Sequence, residues 1–341
     1  MSSKRVTISD IAQKLNISAS TVSRALKNHP ALKKETIKAV QDLANKLNYQ
    51  PNLLALSLRQ KKTNTIGVII PEITSHFFSS IITGIQDVLV NSGYNIIICQ
   101  SNESYKEELA IVENLLRIRV DGVLVSPSSR TKKFNHFSKL KQSGVPIVVF
   151  DRDCPNLEVD KVLVDDYDGA FQAIDYLIKS GCKKIAHLSG PKNLSTTNHR
   201  LQGYLDALKK NNLPVKEEYI VHASGFTHEE GIQPTKTLLR LKNPPDAIFA
   251  INDCIAISAM YIAKKLDFKI PEDISIIGFD DEPHTRYFKP ALSTVWQPVY
   301  SIGMLSARIL LSHLKNPDNT PKLRKEIFKP ELVIRHSSIK I

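Results

Sequence analysis

Thr7-Ile8-Ser9-Asp10-Ile11-Ala12, followed by Ser18-Ala19-Ser20-Thr21-Val22-Ser23-Arg24-Ala25-Leu26, decides how the N-terminal part of this chain folds. Thr7 is suited to cap a helix, because its hydroxyl accepts from an unpaired N–H of the first turn. Ile8, Ile11, Ala12 and Leu15 then recur at i, i+3, i+4 and i+7, the spacing of one helical face. Asn16-Ile17 makes a tight connection before Ser18, which caps a second helix with Val22, Ala25 and Leu26 on its apolar side. Two short helices joined so briefly must cross steeply, which is helix-turn-helix geometry. Ile37, Val40, Ala44 and Leu47 supply a third stripe that closes a small three-helix core. So small a unit buries little apolar surface and is expected to be only marginally stable alone.

That geometry implies duplex DNA as a partner. With the second helix in the major groove, Ala19, Ser20 and Arg24 reach base edges. Arg24 can donate twice to guanine O6 and N7, Ala19 offers a methyl to thymine, and Ser20 an adaptable hydroxyl. Ser18, Thr21, Ser23, Asn28 and Tyr49 are expected on phosphates, where they set register without reading sequence. Residues 1–62 hold twelve Lys and Arg against Asp10, Glu35 and Asp42, so nine of the chain's twelve net positive charges lie there. A solvated bundle would tolerate the same lysines, but charge and helix pattern coincide where phosphates would lie.

The 341 residues leave room for one or two further domains. From Thr65 onward, β-branched runs such as Ile66–Ile70, Gly122–Val125, Ile185–Leu188 and Ala247–Ile251 alternate with helical patterns. The rhythm runs once to Pro146–Phe150 and restarts near Ile185. Near-continuous apolar strands covered by helices on both faces predict an α/β core of two doubly wound parallel-sheet lobes behind an all-α helix-turn-helix headpiece. No apolar leader or membrane span is seen, which points to a cytoplasmic protein. Cys99, Cys154, Cys182 and Cys254 show no paired spacing and the ten histidines no ligand spacing, so neither disulfide, metal nor cofactor is expected.

The order T-I-x-D-I-A, S-x-x-T-V-S-R-x-L and L-N-Y-x-P-N resembles the lactose-repressor (LacI/GalR) family of bacterial transcription regulators, and the resemblance extends over nearly the whole chain, including Ile277-Gly278-Phe279-Asp280 and Arg335. It implies a hinge helix over Pro51–Leu58, with Leu58 wedged into the minor groove at the operator centre. Eight residues are too few for a stable isolated helix, so the hinge would fold on DNA. It further implies a periplasmic-binding-protein-like core with three strands crossing between lobes near Val162, Ala291 and Pro321. The expected domains are residues 1–50 (headpiece), 51–61 (hinge and linker) and 62–341 (core). Within the core, one lobe takes 62–161 and 292–320, the other 162–291 and 321–341.

Ligands of open parallel sheets bind at the carboxyl ends of strands. Those ends carry Phe77-Phe78, Asp151-Arg152, Arg200, Phe226, Asn252-Asp253 and Asp280. An aromatic plate with carboxylates, an amide and an arginine suits a polyhydroxylated ligand. The resemblance puts Phe78, Arg200, Phe226, Asn252 and Asp280 at effector-contact positions, with Asp151, Arg152 and Asp253 as weaker matches. Adjacent residues on a helix face apart, so of Phe77 and Phe78 only the latter is expected in the cleft. Leu194 replaces an arginine of purine-responding members, which argues against a purine. His76 replaces a proline, and Leu32-Lys33 the usual Val-Ser before the third helix, weakening its cap.

The expectation is a homodimeric regulator, acting as a repressor on a near-palindromic operator and controlled by a small, carbohydrate-like effector. A solute-binding protein for a sugar transporter would share the core but carry a leader instead of a basic headpiece. An enzyme is disfavoured, since neither a G-x-x-x-x-G-K-[ST] phosphate loop nor a G-x-S-x-G elbow is present.

Overall fold

The computed structural model describes residues 6–49, 62–315 and 322–339, and the chain divides into two compact units, Met1–Thr63 and Asn64–Ile341. The hinge segment Pro51–Leu58, Leu58 itself and the crossing expected near Pro321 lie outside the described residues.

In the first unit, α1 (Ile8–Lys14), α2 (Ala19–Ala25) and α3 (Lys34–Lys46) enclose a core of Ile11, Ala12, Val22, Ala25, Val40 and Ala44. Thr7 and Asp10 form a reciprocal capping box at the start of α1. Asn16, with φ of 53°, turns the chain between α1 and α2, a left-handed conformation that asparagine tolerates. Ser18 caps α2 by accepting from Thr21 N at 3.1 Å. At α3, Lys33 occupies the cap position and makes no side-chain bond, as its lack of a short acceptor dictates.

The second unit holds two sheets. The first lobe is built on β1 (Thr65–Ile70), β2 (Asn95–Gln100), β3 (Gly122–Val125), β4 (Ile147–Phe150) and β5 (Asp160–Val164), with β11 (Lys325–Phe328) added from the far end of the chain. Their order is β11-β5-β4-β3-β1-β2, parallel throughout. The second lobe orders β7 (Ile220–His222), β6 (Ile185–Ser189), β8 (Ala247–Ala250) and β9 (Ser275–Ile277), also parallel. A two-stranded antiparallel ribbon joins β10 (Thr294–Trp296) to β12 (Glu331–Val333), and bridges Ile277–Ser293 and Asp280–Trp296 tie β10 to the second lobe. β3 and β4 are wholly buried apolar runs, as a sheet covered on both faces requires.

The crossings come later than the sequence led us to expect. β5 pairs with β4 and β11, so the first lobe extends through Val164 and not to 161. β10 belongs to the second lobe, moving that crossing from Ala291 to beyond Trp296. The last extended stretch is two strands, β11 and β12, in different sheets, with Lys329-Pro330 between them. Proline lacks the N–H that an uninterrupted ladder would need.

The first lobe is packed by α4 (His76–Val90), α5 (Tyr105–Ile118), α6 (Asn135–Gln142) and α11 (Val299–Lys315); the second by α7 (Asp166–Lys179), α8 (Ser195–Lys210), α9 (His228–Leu239) and α10 (Asp253–Lys265). α4 and α11 meet backbone to backbone. A Cβ on Gly303 would stand 2.1 Å from Ile81 O, and one on Gly84 would stand 2.2 Å from Tyr300 O. Gly303→Ala is therefore expected to destabilise the core by about 1–3 kcal/mol through overpacking, read as a lower thermal midpoint; an unchanged midpoint would show that the helices can part at no cost.

Candidate functional site

Exposure sorts the faces of α2. Val22 and Ala25 point into the headpiece core, while Ser18, Ala19, Ser20 and Arg24 are exposed and Thr21 and Ser23 half-buried. The Ser18 hydroxyl also lies 2.8 Å from the hydroxyls of both Ser20 and Thr21, so these small side chains form one hydrogen-bonded cluster at the helix start. Asn28 accepts from Gln41 Nε2 at 2.8 Å, and Tyr49 packs on the headpiece core, where partial burial raises its phenol. The Asn28 carbonyl oxygen is thereby committed within the headpiece.

In the core unit the predicted cleft residues fall into three groups. Asp151, Arg152, Arg200, Phe226 and Asp280 converge from both lobes. Arg152 follows β4 in the first lobe, and its guanidinium carbon stands 5.1 Å from the centre of the Phe226 ring of the second. Asp151 and Asp280, again from opposite lobes, both feel the Arg200 charge, and Asp280 also feels that of Asp151. Asp151 accepts from Ser126 Oγ at 2.9 Å, and Asp280 from Gln297 Nε2 at 2.8 Å.

Asn252 and Asp253 serve the scaffold instead. Asn252 Oδ1 caps α10 by accepting from Ile255 N at 3.0 Å, while its Nδ2 donates to Phe226 O at 3.0 Å. Its amide thus holds the loop that presents Phe226. Asp253 is wholly buried and accepts from Glu282 N at 2.8 Å and Thr294 Oγ1 at 2.6 Å, which pins the segment after β9. Burial pushes its carboxyl up to about 8. Phe78 forms the third group. It lies with Phe77 in the first-lobe core, the two rings T-shaped at 5.1 Å, and both are nearly buried. The expected division of one core ring and one cleft ring is not what the structure shows.

Both cleft arginines are braced by protein groups. Arg152 donates to the two carboxylate oxygens of Glu103 at 2.9 and 2.8 Å and to Pro127 O at 3.0 Å. Arg200 Nε and one terminal nitrogen sit 2.7 Å from Asp166 Oδ1, the other terminal nitrogen donates to Ile251 O, and its guanidinium carbon lies 3.6 Å from the centre of the Phe279 ring. Burial raises the Asp166 carboxyl even against the Arg200 charge. Burial likewise lifts Asp151 to about 6 and Asp280 well above the usual carboxylate range, the latter reinforced by Asp253, Glu282 and Asp151.

Four residues of this site were missed from sequence. Glu103 and Asp166 hold the arginines, Gln297 holds Asp280, and Ser195 Oγ accepts from Asp153 N at 2.9 Å across the lobes. Asp166 carries a signal in the sequence, since it stands just past the carboxyl end of β5. Asn193 Nδ2 donates to Ser129 O, a second cross-lobe contact. A cavity of about 190 Å3 lies beside the cleft carboxylates, with Asp151, Asp166, Ser195, His199 and Lys325 in its wall.

A helix-turn-helix unit and a two-lobed core with a polar cleft together define a ligand-responsive DNA-binding regulator. Residues 7–52 match the bacterial regulatory proteins of the lacI family, and residues 174–338 match the periplasmic binding protein-like domain. The probable HTH-type transcriptional repressor ExuR of Bacillus subtilis (strain 168) is 37% identical over 97% of this chain and 98% of its own length. Catabolite control protein A of Priestia megaterium is 35% identical over 91% and 92%. A solved transcriptional regulator, CelR in complex with cellobiose, superposes with a TM-score of 0.75 at 26% identity, covering 98% of this chain and all of its own. The chain belongs to the LacI family: it is a DNA-binding transcription regulator that responds to a small molecule, and not an enzyme.

Proposed function

We propose that this regulator represses transcription as a homodimer on a near-palindromic operator and that a carbohydrate bound between the core lobes sets its grip on DNA. One observation carries the ligand reading. Carboxylates from opposite lobes, Asp151 and Asp280, converge with the Arg200 guanidinium and the Phe226 ring, a set suited to vicinal hydroxyls and an apolar sugar face. The cellobiose held by the solved relative supports the same class. A ligand favouring one lobe arrangement acts on DNA affinity through coupling, and DNA acts back on ligand affinity by the same factor.

Dimerisation is supported by β2, the edge of the six-stranded sheet, where Ile97 and Ile98 are 37% and 42% exposed. An apolar edge strand left open is an aggregation hazard that a second copy removes. Two-fold symmetry then dictates a two-fold operator. In this reading Ala19, Ser20 and Arg24 contact bases, and Ser18, Thr21, Ser23, Asn28 and Tyr49 contact phosphates. Selection of binding sites from random duplex DNA, with sedimentation of the protein and its complex, tests it. The expected result is a near-palindromic site occupied by two chains. A single half-site bound by one chain, or a tetramer, would overturn it.

A further inference from the structure

We infer that the start of α8 is a clasp: Asn193 and Ser195 reach from the second lobe to two loops of the first, and their hydrogen bonds hold the lobes closed through the protein's own groups. A share of the regulator is then closed before any ligand arrives. This holds whatever class of ligand the cleft takes, and it rests on the coupling of lobes to DNA only for its effect on the operator. A helix ordinarily begins with a Ser, Thr, Asp or Asn whose side chain accepts from one of its free N–H groups. Three second-lobe helices do so, with Asp165 before α7, Thr227 before α9 and Asn252 before α10. α8 has Leu194 in that place, with no side-chain bond. Cap-forming residues stand on both sides of that leucine, and both are turned to the other lobe. Ser195 Oγ accepts from Asp153 N at 2.9 Å, and Asn193 Nδ2 donates to Ser129 O.

The receiving loops are braced. Ser129 lies in the loop after β3, where Glu108 accepts from Ser128 N at 2.6 Å and Glu103 from Ser129 N at 2.5 Å. Asp153 lies in the loop after β4. Its carboxylate accepts from Lys161 Nζ and stands 3.6 Å from Lys325 Nζ. Those two lysines are register partners on β5 and β11, so one carboxylate offsets two like charges that the sheet sets side by side. Both strands run on into second-lobe segments, β5 into α7 and β11 into β12. The Asp153 loop is thereby tied to segments about which the lobes must turn. β3 and β4 are neighbours in the sheet. The clasp therefore grips at two points, and resists rotation as well as separation.

Such bonds act on the balance between closed and open lobes. One intramolecular hydrogen bond is worth about two- to twelvefold in an equilibrium, once the competing bonds to water are subtracted. A ligand that binds the closed form shows an affinity scaled by the fraction closed. The clasp thus raises that affinity and narrows the range over which ligand can move the balance. Ser195 and Asp153 also stand in the wall of the cavity beside Asp151, Asp166 and His199, so the clasp closes the same space that a ligand would share. Arg152, the residue before Asp153, adds a third cross-lobe contact through the Phe226 ring, 5.1 Å from its centre.

Disulfide trapping on the full-length protein, dialysed free of small molecules, tests the clasp. Asp153→Cys with Ser195→Cys puts one thiol on each side of it, and the loss of two hydrogens from a single chain in oxidised glutathione counts closed molecules. The expected result is a cross-link that forms without added ligand, and that forms about two- to twelvefold more slowly once Asn193→Ala is added. An absent cross-link, or an unchanged rate, overturns the inference. Asn193→Ala with Ser195→Ala gives a second measurement on a chain that keeps Asp153. Neither side chain is buried, so the fold is expected to stay intact. Operator affinity should shift by about threefold or more from the native chain in this variant, and by as much the other way when the cross-linked form is compared with its reduced form. Shifts in the same direction also overturn the inference. Slower trapping with operator affinity fixed in both proteins leaves the clasp standing and removes the coupling of lobes to DNA.

Discussion

Arg200→Ala is expected to lower the unfolding free energy of the core by about 3–5 kcal/mol, the usual cost of removing one partner from a buried ion pair. Asp166 is 4% exposed and its main counter-charge is Arg200, 2.7 Å away. Deleting the guanidinium strands that carboxylate, leaves Ile251 O without its donor and uncovers the Phe279 face. Chemical denaturation monitored at a second-lobe probe measures the loss. Asp166→Asn combined with Arg200→Ala should recover part of it, because the stranded charge is then gone. A loss below about 1 kcal/mol would mean that water reaches the pair. The result bears on how a regulatory phenotype at this position is read. From sequence alone, Arg200→Ala would be a clean probe of effector binding, whereas the packing makes a silent response ambiguous between lost contact and lost fold. Asp280→Asn is the cleaner probe.

Arg24→Ala is expected to cost about 1–3 kcal/mol of discrimination at one guanine, roughly five- to 150-fold, with a much smaller change on random duplex. Arg24 is exposed on the face of α2 opposite Val22 and Ala25, so its loss should leave the headpiece folded. Ala19 and Ser20 on the same exposed side are too small to compensate, and the Ser20 hydroxyl is already drawn into the cluster with Ser18. Binding measured on the selected operator and on its guanine-substituted version checks this. Equal losses on both sequences would make Arg24 a phosphate contact, and no loss would remove it from the interface.

The headpiece was legible because its rules are local: caps at Thr7 and Ser18 and stripes at helical spacing are all within a few residues of what they stabilise. The core was legible as a rhythm of strands and helices but not at its crossings. β5 opens with Asp160-Lys161, which breaks the apolar run that marks a buried strand. Both charges are satisfied by partners outside the strand. Asp160 sits 2.8 Å from His313 Nε2 and accepts from Arg324 N, and Lys161 donates to Asp153 and to Cys154 O. No window of sequence contains the Asp160 pairs. The site followed the same pattern. The carboxyl ends of strands pointed to Asp151, Arg200 and Asp280, yet whether a polar group faces a ligand or holds the scaffold depends on partners such as Glu103, Gln297 and Thr294. Asn252 and Asp253 changed roles for that reason, and Phe78 joined Phe77 in the core because both rings found apolar neighbours.

The interlock of α4 with α11 also sets an order of events during synthesis. α4 is complete by Val90, but the helix that seats against its glycine is not made until Lys315, and the last strand of the same sheet ends at Phe328. The first lobe therefore waits on the ribosome, with Ile81 and Ile85 lacking their cover, while the headpiece, whose contacts are all short-range, can close as soon as it emerges. The part of the chain that meets DNA is ready early, and the part that must be responsive to a ligand is finished only after Phe328 has been made.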